Sequence, residues 1–115
     1  MINLQNVHYS YKKNDVIKDF SLSINEPMIT GIWGRNGTGK TTLMKLLAGH
    51  FQPQKGSINI MGLEPYNHSV IKQYLCYMQE EHPFSIIWKA EDVLRYGQYY
   101  NPNWDMEYAK IYIKF

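Results

Sequence analysis

The segment that most constrains the fold of this chain is GRNGTGKT, which runs from Gly34 to Thr41. It fits the pattern G-x-x-x-x-G-K-[ST] at every fixed position. Gly37 and Gly39 allow positive φ angles, which turn backbone N–H groups inward and form a concave site for an anion. A loop of this kind requires a strand before it and a helix after it. The segment therefore predicts an α/β fold built around a phosphate-binding loop.

The residues on either side of this loop supply both elements. Residues 28–33 form a short apolar run, which is typical of a buried strand. After the loop, Leu43, Leu46 and Leu47 follow at i, i+3 and i+4 spacing, which predicts a helix. Gly49 stands where that helix would be capped. The alternative is a glycine-rich turn that only joins a strand to a helix.

Two side chains of the loop have defined chemistry in this arrangement. Lys40 can reach the β- and γ-phosphates of a nucleotide, and the Thr41 hydroxyl can ligate Mg²⁺. The dipole of the following helix adds positive potential at the same place. We therefore expect a nucleotide phosphate and Mg²⁺ to bind here.

The remaining patterns predict a hairpin at the start of the chain and helices at its end. Residues 2–9 and 16–24 predict two antiparallel strands around the turn-forming sequence at 12–15. Asn103 or Asp105 is available to cap the last helix. Further along, the sequence predicts a strand at 56–62, a helical turn at 68–73, a strand at 75–78, a loop at 80–85, and helices at 90–99 and 105–115.

Length and composition exclude several classes of protein. The 115 residues can bury one core, but not the complete sheet of a typical nucleotide-hydrolysing domain. A net charge of +2 argues against nucleic-acid binding through bulk positive charge. One cysteine, Cys76, excludes a disulfide framework and a four-cysteine zinc site. No secretory signal fits the start, and the apolar runs are too short to cross a bilayer.

Three segments resemble the ATP-binding subunit of an ABC (ATP-binding cassette) transporter. They are GIWGRNGTGKTTL at 31–43, GSINIMG at 56–62 and YMQE at 77–80, in the order in which the family has them. Small P-loop kinases usually open directly with the phosphate-loop strand, whereas a hairpin precedes it here. The resemblance implies a P-loop NTPase fold of ABC type, with an N-terminal antiparallel β hairpin and an incomplete RecA-like core.

The resemblance also implies how the chain is divided. Residues 1–115 would be the N-terminal part of a single ATP-binding domain, truncated within its helical subdomain, because the last predicted helix has no stop signal. The phosphate loop would occupy 34–42, the Q-loop would lie around 79–85, and the helical subdomain would start within about 88–115.

Individual residues acquire roles from the same resemblance. Tyr11, 23 residues before Gly34, matches the aromatic that stacks on adenine, although packing on its own sheet is the alternative. Gln79, 39 residues after Lys40, matches the Q-loop glutamine, whose carbonyl oxygen can touch Mg²⁺ or the attacking water. Its alternative is a polar residue at the start of a solvated loop. Gln79 is thus the expected catalytic residue, and Thr41 and Gln79 are the expected Mg²⁺ ligands. The expected ATP-binding residues are Tyr11, Gly34, Arg35, Asn36, Gly37, Thr38, Gly39, Lys40, Thr41 and Thr42.

Several features of the family are absent from these 115 residues. The sequence contains no LSGGQ-type signature, no run of four apolar residues that ends in Asp-Glu, and no late switch histidine. It therefore carries a phosphate cradle and a Mg²⁺ ligand, but no acidic group placed to orient water. We expect the isolated chain to hydrolyse ATP negligibly. We also expect poor stability, because apolar faces of an incomplete core stay uncovered.

The resemblance implies a cytoplasmic subunit held on the inner face of the cell membrane by a membrane-spanning partner. In the complete protein, ATP hydrolysis would drive transport, and two such subunits, identical or different, would close around two ATP molecules. The alternatives are an ABC-type ATPase that acts on ribosomes or DNA, a truncated remnant that binds nucleotide weakly, and a small-molecule P-loop kinase. The transported substrate and its direction are specified by the family's membrane subunits.

Other reactive residues form no recognisable site. The four histidines lack the spacing of metal ligands; they are His8, His50, His68 and His82. The adjacent Glu80 and Glu81 are interpreted as a solvated loop edge. An aromatic-rich stretch allows either core packing or a partner surface; its members are Trp88, Tyr96, Tyr99, Tyr100 and Trp104.

Overall fold

The computed structural model describes residues 1–81 and 84–112. They form two compact units, the first from Met1 to Tyr77 and the second from Met78 onward. The first unit contains β1 (Ile2–Tyr11), β2 (Asn14–Ile24), α1 (Lys40–Leu47), β3 (Lys55–Ile60) and α2 (Ser69–Lys72). The second contains α3 (Ala90–Tyr100) and α4 (Met106–Tyr112). Within the described residues, no helix is long and apolar enough to cross a membrane.

The three strands form an antiparallel sheet in the order β2–β1–β3. The hairpin of β1 and β2 confirms the pair of strands predicted from the sequence. Its turn is short, and Lys12 takes a positive φ of 55° there. The alternating burial of β2 from Phe20 to Ile24 also follows the sequence pattern, with Ser21 and Ser23 exposed.

Three register shifts interrupt the pairing of β1 with β2. The pairing shifts by one residue on β1 between Leu4 and Val7, which lets both side chains face the core. Asn6 lies at this bulge with a φ of 47°, and Asp19 on β2 has a φ of 48°. Asn6 Nδ2 donates a hydrogen bond to Asp19 Oδ1 at 2.7 Å, so the two irregular residues are tied together.

Helix α1 packs on this sheet through the face that the leucine spacing predicts. Leu43 is 7% exposed and Leu46 is completely buried. The helix ends as predicted at Gly49, whose φ is 72°. Gly49 N donates to Leu46 O and His50 N donates to Lys45 O, the two hydrogen bonds of a Schellman cap. The residues of the core are Leu4, Val7, Ile17, Leu43, Leu46 and Ile58.

The prediction of a buried strand at 28–33 is wrong. This segment forms no strand, and the side chains of Ile29 and Trp33 are completely exposed. A strand needs a neighbour to satisfy its backbone hydrogen bonds. The three strands of the described residues pair with one another instead. Ile32 alone of these six residues packs against the core.

The strand predicted at 75–78 is also absent, and for the same reason. Residues 75–79 have no regular structure, and Met78 is 87% exposed. The shorter prediction just before it is confirmed, because α2 is a single helical turn that buries Ile71. Strand β3 likewise confirms a strand in the predicted range 56–62, but it ends at Ile60, because Met61 and Gly62 form a tight turn with positive φ.

An acidic side chain accepts a hydrogen bond at the start of each helix of the second unit, Asp92 from the third position of α3 and Asp105 from the position before α4. Asp92 accepts a hydrogen bond from Lys89 N at 2.8 Å, and Asp105 accepts one from Tyr108 N at 2.9 Å. Asp105 is thus the cap of α4, one of the two residues that the sequence offered. Residues 113–115 of the predicted last helix lie outside the described residues.

Aromatic side chains of the second unit lie at its surface rather than in a core. Trp88 and Tyr96 are 5.5 Å apart between ring centroids, and Tyr96 and Tyr100 are 4.4 Å apart. All three are exposed, and Tyr99 beside them is 82% exposed. Trp104 differs from them, because it packs against Gly97 of α3 so closely that no β-carbon would fit there.

Candidate functional site

The phosphate loop has the backbone geometry that an anion cradle requires. Gly37 and Gly39 have φ angles of 82° and 94°, in the left-handed region that L side chains rarely adopt. Gly39 is also the N-cap of α1, and it brings no side chain to cap the helix. The first turn of α1 contains no acidic residue. The N–H groups that any helix leaves unpaired at this end are therefore available to an anion.

The two glycines are required for different reasons. A β-carbon at Gly39 would lie 2.9 Å from Val16 Cγ1 and 3.1 Å from Val16 O, so strand β2 excludes any side chain there. A β-carbon at Gly37 would meet nothing within 4 Å, so only its φ angle favours glycine. Gly39 thus allows the loop to approach β2 closely, whereas the space beside Gly37 is open.

The Lys40 side chain folds back across the loop. Its Nζ donates hydrogen bonds to the carbonyl oxygens of Gly34 and Arg35, both at 2.6 Å. Thr38 Oγ1 donates to the same Arg35 carbonyl at 2.8 Å. Among the described residues no carboxylate forms an ion pair with Lys40, so its positive charge is not neutralised by the protein.

Tyr11 lies next to the phosphate loop through a contact with Thr42, the third residue of α1. Thr42 Oγ1 lies 3.5 Å from Tyr11 Oη, at the long limit of a hydrogen bond. Thr42 is 6% exposed, whereas Tyr11 keeps 42% of its surface exposed. An aromatic face at the rim of the loop is therefore open to a flat ligand.

Two cavities meet at the phosphate loop. The larger measures about 440 Å³ and the smaller about 340 Å³. Val16, Gly39 and Lys40 line both of them. The larger cavity is lined by Tyr11, Val16, Asn36, Gly37, Gly39, Lys40, Thr41 and Thr42.

The structure brings most of the predicted site residues together. Seven of them line the larger cavity, and Gly34 and Thr38 line the smaller one. Arg35 is exposed and contributes its carbonyl to the Lys40 hydrogen bond. Gln79 is exposed and belongs to the second unit, so its catalytic and Mg²⁺-binding roles stay predictions.

Sequence reasoning missed two residues near this site. Val16 lines both cavities, and its place in β2 fixes it against Gly39. Phe51 lies in the α1–β3 loop, with its ring centroid 5.9 Å from that of Tyr11. Apolar residues in a strand and in a loop carry no motif, so neither had a signal beyond its hydrophobicity.

Two titratable side chains of the hairpin, Asp15 and Tyr9, have shifted pKa values. The pKa of Asp15 is lowered below its ordinary value of 3.8, first by the Ser10 Oγ hydrogen bond at 2.7 Å and then by the Lys18 ammonium. The pKa of Tyr9 is raised, because burial disfavours its phenolate and Tyr11 adds like charge. Tyr9 is therefore a neutral phenol at neutral pH.

The described histidines, His8, His50 and His68, belong to no metal-binding cluster. Among the described residues, no three His, Cys, Asp or Glu side chains lie close enough to hold a metal ion. His50 packs edge-on against Tyr77, with their centroids 5.0 Å apart. His82 lies outside the described residues.

A family model described as "ABC transporter" matches residues 17–110, most of the chain. This chain belongs to the ABC transporter family. The resemblance of the phosphate loop and its flanking segments to an ABC ATP-binding subunit is thereby confirmed. So is the ABC-type P-loop fold, of which these residues show the antiparallel hairpin sheet and the helix that follows the loop.

Two curated relatives illustrate how this chain compares with other members of the ABC family. The ABC transporter ATP-binding protein YtrB of Bacillus subtilis (strain 168) is 33% identical over 109 residues, which cover 95% of this chain and 37% of the relative. The energy-coupling factor transporter ATP-binding protein EcfA1 of Fusobacterium nucleatum is 46% identical over 67 residues, 58% of this chain and 25% of the relative. The chain thus spans well under half the length of these relatives.

Two solved structures share the fold. An ATP-binding subunit of an ABC transporter superposes with a TM-score of 0.79 at 21% identity, over 96% of this ABC chain and 46% of that chain. A dimeric ATP-binding cassette in a post-hydrolysis state, bound to ADP and phosphate, superposes with a TM-score of 0.54 at 23% identity. The latter match covers 64% of this chain and 35% of the other. At these identities the likeness concerns the fold.

Proposed function

We propose that this chain binds MgATP at the loop 34–42, and that in the complete protein ATP hydrolysis drives transport of a substrate across a membrane. The observation that carries the proposal is the Lys40 ammonium, held within a loop whose glycines have positive φ. The relatives YtrB and EcfA1 are named as transporter ATP-binding proteins, which supports the role in transport.

The loop fits the phosphates of a nucleotide. The uncapped start of α1 and the positive φ at Gly37 and Gly39 supply N–H donors, and Lys40 supplies a cation without a carboxylate partner among the described residues. A bound polyphosphate would replace the carbonyl oxygens of Gly34 and Arg35 as the hydrogen-bond acceptor of the Lys40 ammonium. Charge-assisted hydrogen bonds of this kind are about twice as strong as neutral ones.

The remaining parts of MgATP have candidate partners as well. Thr41 lines the larger cavity, and its hydroxyl would ligate Mg²⁺, which neutralises phosphate charge when bound. Tyr11 offers an exposed aromatic face at the same cavity, and it would stack on adenine. Gln79 is the proposed catalytic residue, and its side-chain carbonyl oxygen would contact the attacking water or Mg²⁺.

Hydrolysis needs groups that these 115 residues do not contain. We propose that the chain alone binds ATP without turning it over, because it has no carboxylate that follows an apolar run at the place where water must be oriented. A truncated remnant that binds nucleotide weakly is the second candidate. An ABC-type ATPase without a transport role is the third.

Two kinds of protein partner follow from the proposed function. One is a second ATP-binding subunit, supported by the dimeric cassette among the structures that share the fold. The other is a membrane-spanning subunit, which would keep the ATPase on the inner face of the cell membrane. The exposed aromatic residues of the second unit, among them Tyr99 and Tyr100, are of the type enriched at protein interfaces.

Equilibrium binding of ATP tests the proposed function. Calorimetric titration with ATP should show binding that weakens when Mg²⁺ is removed, and Lys40→Ala should weaken it about 10- to 100-fold. The matched control is Lys72→Ala, which removes an exposed lysine at the last turn of α2 in the same unit. Absence of binding by the wild type, or equal affinities of the two variants, would contradict the proposal.

A further inference from the structure

We propose that Phe51 and Gln54, in the loop between α1 and β3, are positioning residues that hold Tyr11 ready to stack on a nucleobase. The inference rests on the proposed function, because it concerns how the same site receives ATP. Neither residue belongs to the phosphate loop, and neither lines the larger cavity beside it. Phe51 packs against the Tyr11 ring, and Gln54 binds the backbone of the preceding residue, Ser10.

The first contact is between aromatic rings. Phe51 and Tyr9 stack nearly parallel, with centroids 5.2 Å apart and an interplanar angle of 9°. Tyr11 is perpendicular to both of them, at 84° to Phe51 and 83° to Tyr9. Two parallel rings on one side therefore fix the plane of the Tyr11 ring, in the edge-to-face arrangement that aromatic pairs prefer.

The second contact fixes the backbone next to Tyr11. Gln54 Oε1 accepts a hydrogen bond from Ser10 N at 2.9 Å, and Gln54 Nε2 donates to Ser10 O at 3.0 Å. Gln54 N also donates to His8 O at 2.9 Å. The side chain of Gln54 thus takes the place of a strand residue opposite Ser10, beyond the point where the β1–β3 pairing ends at His8 and Lys55.

These contacts leave the Tyr11 ring oriented and still accessible. Its hydroxyl lies near Thr42 of α1, its backbone neighbour is held by Gln54, and its ring plane is held by Phe51. A side chain that must be immobilised on binding weakens the affinity through lost rotamer freedom. A ring already immobilised by its neighbours avoids that loss, so Phe51 and Gln54 raise the affinity for the base without touching it.

The test compares two ligands of the purified protein by calorimetry: MgATP, which has a base, and magnesium tripolyphosphate, which has none. We expect Phe51→Leu and Gln54→Ala each to weaken MgATP binding about 3- to 10-fold, while tripolyphosphate binding changes less than about twofold. Phe51→Tyr should retain the wild-type affinity for MgATP because it keeps the ring. Gln52→Ala, an exposed glutamine of the same loop, is the control for Gln54.

The same substitutions in a Tyr11→Ala protein distinguish positioning of the Tyr11 ring from a general loss of structure. In a Tyr11→Ala protein, Phe51→Leu and Gln54→Ala should no longer change the affinity for MgATP, because the ring that they position is gone. Because Phe51 packs against the core, its variant can lose stability, whereas Gln54 is exposed and tests the same claim independently.

Each outcome decides the matter. Selective loss of MgATP binding that disappears with Tyr11→Ala supports the inference. Equal loss of both ligands, loss that persists without Tyr11, or no loss at all overturns it. If the wild type binds tripolyphosphate as tightly as MgATP, Tyr11 does not stack on the base and the inference falls while the phosphate site stands. If the wild type binds neither ligand, the proposed function itself is wrong.

Discussion

The ammonium of Lys40 lies 2.6 Å from the carbonyl oxygen of Gly34, at the opposite end of the loop that both residues delimit. The same ammonium is 2.6 Å from the Arg35 carbonyl, so a compact cation occupies a gap between two backbone oxygens. A guanidinium is planar and larger, and it cannot take this position with the same hydrogen bonds. The loop is therefore built for lysine and not for positive charge in general.

The first prediction is that Lys40→Arg does not preserve the site. We expect it to weaken MgATP binding by about 10-fold or more although the charge is kept, because the larger, planar guanidinium cannot present its charge to the phosphates from the position of the ammonium. Calorimetric titration measures the effect, and Lys72→Arg is the matched control. Wild-type affinity in Lys40→Arg would mean that the position of the ammonium does not matter.

The second prediction separates the two loop glycines. Gly39→Ala should lower the free energy of unfolding by about 2–4 kcal/mol, since it adds contact with Val16 to the strain of a positive φ. Gly37→Ala has the strain alone and should lower it by about 1 kcal/mol. Urea denaturation of both variants gives the comparison. Equal losses would show that the approach of β2 to Gly39 is unimportant.

The third prediction concerns the packing of α1. Leu46 is completely buried, so Leu46→Ala should lower the free energy of unfolding by about 2–5 kcal/mol. Met44, on the same helix, is 41% exposed, and Met44→Ala should change it by about 0.5 kcal/mol. Thermal denaturation followed by circular dichroism distinguishes the two. A similar loss in both variants would contradict the orientation of the helix.

The fourth prediction is that the stability of the folded chain depends on pH through Asp15, next to the turn of the hairpin. The pKa of Asp15 is lowered in the folded chain, so its ionised form contributes stability that is present above the unfolded pKa and is lost as the pH falls through the folded pKa. Ser10→Ala removes the first cause, the hydrogen bond from Ser10 Oγ, and should raise the pKa of Asp15 towards its ordinary value.

An NMR titration of the Asp15 carboxyl in the wild type and in Ser10→Ala measures this pKa directly. Lys18→Ala should also raise it, because it removes both the Lys18 charge and the Lys18 hydrogen bond. The stability of Ser10→Ala should consequently fall less steeply than that of the wild type when the pH is lowered below about 4. An unchanged pKa in Ser10→Ala would exclude the hydrogen bond as its cause.

The elements that depend on local sequence were predictable. The leucine spacing and Gly49 predicted α1 and its end, and the turn at 12–15 predicted the hairpin. The irregular residues Asn6 and Asp19 were not, because the hydrogen bond between them joins two different strands and leaves no local pattern in the sequence. The strands predicted at 28–33 and 75–78 failed because an apolar run specifies a strand only where a neighbouring strand pairs with it.

The candidate site was also predictable from the sequence only in part. The glycines and Lys40 could be assigned from spacing alone, since the loop is continuous in sequence and the structure gives it the expected φ angles. Tyr11 needed the resemblance to the family, because it is distant from the loop in sequence. Phe51 and Gln54 could not be found from the sequence, because their contacts with β1 arise from how the α1–β3 loop folds back.

The fifth prediction is that the chain alone does not turn over MgATP. We expect phosphate release at the level of a protein-free control, because no acidic side chain is placed to orient the attacking water. A sensitive phosphate assay with Lys40→Ala beside the wild type measures this. Turnover by the wild type that Lys40→Ala abolishes would show that the 115 residues form a complete ATPase.

The central claim, that MgATP binds at the loop 34–42 beside Tyr11, is tested most directly by NMR of the ¹⁵N-labelled chain during titration with MgATP. We expect the largest shifts of backbone amide signals at Gly37, Gly39 and Lys40, with a smaller change at Tyr11 that tripolyphosphate does not reproduce. Saturable shifts confined to these residues would support the proposed site. An unchanged spectrum, or shifts that concentrate elsewhere in the chain, would contradict it.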